Sequence, residues 1–118
     1  MVSETGVELF NAQEFYKCHE VLEDQWRPSR GEERLFLQAL IHFAVGFYHH
    51  QRGNPIGAES QLRKGLRKLA GYLPQFQNID TAKLYREAQA ARETVLAGDK
   101  IDSFPSLSQV DSSATVSM

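Results

Sequence analysis

The chain has 118 residues, 42% of them hydrophobic and 24% charged, which suits one compact domain able to bury a core of its own. Its formal charge of -2 supplies no global field for nucleic acid or an anionic membrane, so either partner would need a local patch. The single cysteine, Cys18, excludes an internal disulfide.

Hydrophobic spacing is helical nearly everywhere and strict alternation is almost absent, which predicts an all-α fold. A short first helix is expected over about residues 3–10, ending at Asn11-Ala12-Gln13. A second runs over about residues 14–27, because Phe15, Cys18, Leu22 and Trp26 share one face and Pro28 forbids continuation. Ser29-Arg30-Gly31-Glu32 has the form of a capping box and announces a third helix over about residues 31–52. That helix carries Phe36, Leu37, Leu40, Ile41, Phe43, Ala44, Phe47 and Tyr48 around more than half of its wheel, so it belongs in the middle of the fold.

Gly53 ends the third helix, Asn54 caps the next and Pro55 takes its first position, where the missing N–H costs nothing. The fourth helix, about residues 55–70, turns Leu62, Leu66 and Leu69 inward, with Leu73 a further candidate. Asp80 caps a fifth, about residues 81–97, with a narrow stripe of Leu84, Ala88, Ala91 and Val95 and a stop at Gly98. Gly46, Gly53, Asn54, Ala58, Leu62 and Gly65 echo a tetratricopeptide-like hairpin, but two imperfect hairpins are too few for a solenoid. The expectation is a compact five-helix bundle with the third helix at its centre, a single domain over residues 1–100, and a flexible serine-rich tail over residues 101–118.

MVSETGVELF shows no basic segment leading into an apolar one, and the apolar run LFLQALIHFAVGFY is broken by Gln38 and His42 and too short to span a bilayer. A cytoplasmic, reducing compartment is expected.

The stretch KCHEVLEDQW sets His19, Glu20 and Glu23 within a turn and a half of the second helix. His19 and Glu23, four apart, flank the apolar stripe, while Glu20 points further toward solvent. The pattern resembles the zinc-protease H-E-x-x-H with its second imidazole replaced by Glu23, leaving two ligands where zinc wants three or four. On the third helix Arg34, Gln38, His42, His49 and Arg52 form one polar stripe. If that stripe met the second helix, His19, Glu23 and His42 would hold a divalent metal, with His49 nearby, and a metal-dependent hydrolase would follow. The simpler reading is a structural polar cluster of His19, Glu20, Glu23, Gln38, His42 and His49, with Glu23 meeting Arg27, or Gln38 and His42 across the interface, and no cofactor.

Arg63, Lys64, Arg67 and Lys68 make a basic face on the fourth helix, which together with Tyr72 and Phe76 is a candidate contact surface. No aromatic interleaves the basic run, which argues against nucleic acid. Cys18 sits on the apolar side and reads as a small core residue. A protein partner or self-association is expected, with no membrane.

FNAQEFYKCHEVLEDQWR followed by RLFLQALIHFAVGFYHHQRGNPIGA resembles the small bacterial, archaeal and plastid-type proteins of the domain of unknown function DUF309, with its motif F-N-x-x-x-[FY]-x-x-x-H-E-x-L-E-x-x-W. The resemblance covers about residues 7–73 closely and the fifth helix loosely. It places the family's pattern on Phe10, Asn11, His19, Glu20, Leu22, Glu23, Trp26, Gln38, Leu40, Ile41, Ala44, His49, Gly53, Asn54 and Ala58, and it implies an all-helical fold without an assigned activity. Ala12 departs from a position where relatives often carry glycine.

Overall fold

The computed structural model describes residues 1–110. Five helices follow in order, α1 Glu4–Asn11, α2 Phe15–Trp26, α3 Gly31–Gln51, α4 Pro55–Leu69 and α5 Thr81–Leu96. A 3-10 turn Ala70–Tyr72 and a two-residue antiparallel hairpin, β1 Gln75–Phe76 with β2 Ile79–Asp80, join α4 to α5. The all-α bundle is as expected; the hairpin is not, and it turns on Gln77 and Asn78, both at positive φ. Among the described residues no helix is long and apolar enough to cross a membrane.

Local chemistry explains most boundaries. Ser3, Asn54 and Asp80 each accept a backbone N–H of the helix they open. Gly53 and Gly98 stop α3 and α5 at φ 74° and 80°, a region only glycine enters freely. The left-handed residue between α1 and α2 is Gln13 rather than Ala12.

The capping box is a correction. Arg30 occupies the cap of α3 with no side-chain bond, and the Ser29 hydroxyl donates instead to the Gln25 carbonyl at the end of α2. Gly31 takes φ 62°, so α3 starts one residue later than the box requires; the Arg34 guanidinium donates to the carbonyls of Trp26, Arg27 and Ser29 and lies 3.8 Å from the Trp26 ring centroid. These bonds satisfy the loose carbonyls at the end of α2 with a cation.

The helix α3 packs between α2 and α4, α1 lies on α2, and α5 lies on α4. Phe36, Leu37, Leu40, Phe43, Phe47, Leu62, Leu69 and Leu84 are fully buried. Trp26, expected in the core, is only partly buried, with its Nε1 buried and lacking a partner. Leu73 is exposed.

Residues 101–110, the start of the expected tail, lie across one face of the bundle. Phe104 packs on Phe15 and Phe47 at 5.3 and 5.4 Å, and Leu107 is buried. The Asn11 side chain both donates to the Leu107 carbonyl and accepts its N–H, and Gln109 bridges Ile79. These contacts tie α1, α2, α3 and β2 together; residues 111–118 of that segment lie outside the described residues.

Candidate functional site

Because α3 is apolar on most sides but not all, one face of it remains uncovered between α2 and α4. On a helix wheel Ile41, Val45 and Tyr48 run down this face together with Gln38, His42 and His49, and all six are half-buried. The polar stripe of α3 is thus the floor of an open groove, and it does not close onto α2.

The α2 wall is Tyr16, His19 and Glu23. Tyr16, half exposed, stacks on Tyr48 with centroids 5.3 Å apart. His19 Nδ1 lies 3.2 Å from the Tyr16 carbonyl oxygen, and Nε2 lies 2.5 Å from Glu23 Oε1. Both ring nitrogens therefore face protein oxygens, and a neutral ring donates to one of them while an imidazolium donates to both. Glu23 also lies 3.9 Å from Arg27, and Arg27 bonds Asp24 more closely, at 2.6 Å. Glu20 is exposed. Tyr16, His19, Val45, Tyr48 and His49 line a pocket of about 200 Å³ whose surface is mostly apolar.

The α4 wall is Gln61, Lys64 and Lys68, one to two turns apart on the same edge. His42 Nδ1 donates to Gln61 Oε1 at 2.7 Å, which pulls this ring toward α4 and away from His19. Burial pushes the His42 imidazole below its ordinary value; the Gln61 bond opposes this, while Lys68, Lys64 and Arg67 add to it. His49 sits over the start of α4, 3.5 Å from Asn54. Among the described residues Lys64, Arg67 and Lys68 make no ion pair, whereas Arg63 turns the other way, to Glu59.

Two expectations change here. The set His19, Glu23 and His42 does not form a metal site: among the described residues no group of three or more His, Cys, Asp or Glu could hold an ion. Glu23 meets His19 and, at longer range, the expected Arg27, rather than Gln38 or His42. Tyr72 and Phe76 are partly buried, each packing one side of its ring on the buried Phe36, at 5.7 and 4.8 Å.

Spacing offered no sign of His50. Its Nε2 accepts the Ile101 N–H at 3.0 Å, its ring meets Phe104, and burial and then Lys100 push its titration down. Cys18 donates to the Gly6 carbonyl, and burial raises its thiol to about 12, which makes it inert. A cavity of about 660 Å³ lies elsewhere, between α5 and residues 99–104, and is lined by none of the motif residues.

A family model described as "Domain of unknown function (DUF309)" matches residues 3–61, which takes in both groove helices α2 and α3 and the start of α4. The chain is similar to the uncharacterized protein YpuF of Bacillus subtilis (strain 168), 34% identical over 65 residues, covering 53% of this chain and 37% of that protein. It is also similar to an uncharacterized protein of Aquifex aeolicus (strain VF5), 28% identical over 99 residues, covering 83% of this chain and 28% of that protein. The chain therefore spans about a third of the length of these curated relatives.

Proposed function

From the premise that this chain belongs to the DUF309 family, a domain of unknown function, we propose that it is a protein-binding or scaffold module whose working surface is the uncovered α2–α3–α4 face. The observation that carries the reading is the incompletely buried apolar line Ile41, Val45 and Tyr48 on the central helix, continued by the half-exposed Tyr16. A monomer gains nothing by leaving such a line in water, whereas a groove with an apolar floor and charged walls is how one helix receives another.

His19 and Glu23 serve in this reading as a wall: the pair fixes the Tyr16 end of α2 against α3 and keeps a charged rim beside the apolar floor. A metal-dependent enzyme has no support from the donor set, because both His19 nitrogens face oxygens of their own helix and His42 is turned to Gln61. Nucleic acid is disfavoured because the basic α4 rim faces an acidic α2 rim across the groove, which repels a polyanion. A cytoplasmic protein partner, or a second copy of the chain, fits this surface; a membrane does not.

A photo-crosslinking residue placed at Val45 tests the reading in cells, with Arg86 on the exposed side of α5 as the control. Val45 yields a discrete protein adduct and Arg86 yields none. Absence of any adduct at Val45 refutes the proposal.

A further inference from the structure

Resting on that reading, we infer that the groove takes a second copy of the same chain, with the two α3 helices parallel and the α2 of each copy over the α4 of the other. The argument is charge complementarity. The α4 rim carries Lys64 and Lys68, which no acidic group of the described residues neutralises. The α2 rim carries the exposed Glu20 and, behind it, Glu23.

The two rims stand at the same level along α3. On the α2 side Tyr16 meets Tyr48 and Trp26 meets Arg34, so Glu20 and Glu23 lie beside the middle of α3. On the α4 side Gln61 meets His42, and Lys64 follows less than one turn later.

The face-to-face two-fold arrangements that bring α3 onto α3 run between two limits. An axis across α3 sets α2 against α2 and α4 against α4, so glutamates meet glutamates and lysines meet lysines. An axis along α3 sets α2 against α4 twice, at equal height, and pairs Glu20 and Glu23 with Lys64 and Lys68 while Ile41, Val45 and Tyr48 meet their own copies. The second arrangement neutralises both rims, and isologous pairing of one patch with itself is the common form of a homodimer.

Sedimentation of the full chain over a concentration series, with Glu20→Lys and Lys64→Glu, tests this. Both substitutions lie on the rims rather than in the core, so they spare the fold. Each variant alone faces like charges twice and weakens the dimer by about tenfold. An equimolar mixture of the two restores attraction at both contacts and recovers dimer. A chain that stays monomeric at every concentration overturns the inference, and so does a dimer that neither substitution weakens or that mixing fails to rescue. The Val45 crosslinker separates this from the broader reading. An adduct of twice the chain mass in purified protein supports self-pairing; an adduct only to a different protein sinks self-pairing and leaves the binding module standing; no adduct sinks both.

Discussion

Gly65 on α4 is where the central packing is tightest, and replacing it by alanine separates helix propensity from packing. A methyl group built there would lie 2.7 Å from Phe43 Cε1 and 2.8 Å from Cδ1. That ring is fully buried and stacks on Phe47 with centroids 6.5 Å apart, and Phe47 is held in turn by Phe10, Phe15 and Phe104. Phe43 therefore has nowhere to go, and α3 and α4 must move apart. Alanine in a helix interior gains about 1 kcal/mol over glycine, while overpacking of a filled core costs about 1–3 kcal/mol. The net expectation is a loss of about 1 kcal/mol, read as a fall in the urea midpoint with unchanged slope. Gly71 is the comparison: nothing lies within 4 Å of its added methyl group, so Gly71→Ala should gain about 0.4–1 kcal/mol through the unfolded chain. Placing Phe43→Leu behind Gly65→Ala should return part of the loss, with a coupling of at least ~0.5 kcal/mol. Stabilisation by Gly65→Ala, or absence of coupling to Phe43, refutes the account.

Glu23→Gln should cost only about 0.3–1 kcal/mol, because the His19–Glu23 pair leaves 24% and 34% of its side chains in solvent, where water and salt screen it; chemical denaturation at low and high salt checks this, and a loss above ~2 kcal/mol would mark a desolvated pair. Stability should also fall on acidification. His42 and His50 both titrate below the ordinary 6.5 in the folded chain, so the unfolded chain binds more protons as pH drops through that value, and the stabilisation present above it is lost toward the lowered native values. Melting curves between about pH 7.5 and pH 5 should show this, and His50→Gln should flatten the slope. Protonated Nε2 of His50 no longer accepts the Ile101 N–H, so hydrogen exchange at Ile101 should quicken in acid before the helices open; equal protection of Ile101 at both ends of the range would contradict the assignment.

The sequence by itself determined the helices and their order. Pro28, Gly53, Pro55 and Gly98 act through φ and through absent or unsatisfied backbone groups, which are local properties, and the apolar arc of α3 shows that it is central before any neighbour is known. The family motif marked His19, Glu23, Gln38 and His49 as belonging together, and all four do border one groove. Only the tertiary structure decided what each side chain meets. The wheel position of His42 left open whether it faces α2 or solvent, and in the fold Gln61 of α4 takes it. Ser29 had the spacing of a cap, but the left-handed Gly31 starts α3 one residue later and the Ser29 hydroxyl goes to the Gln25 carbonyl instead. Residues 101–110 carry no period because they belong to no regular element, and a segment whose burial comes from single anchors such as Phe104 and Leu107, held by Asn11 some 96 residues away in the chain, leaves no repeating signal to read.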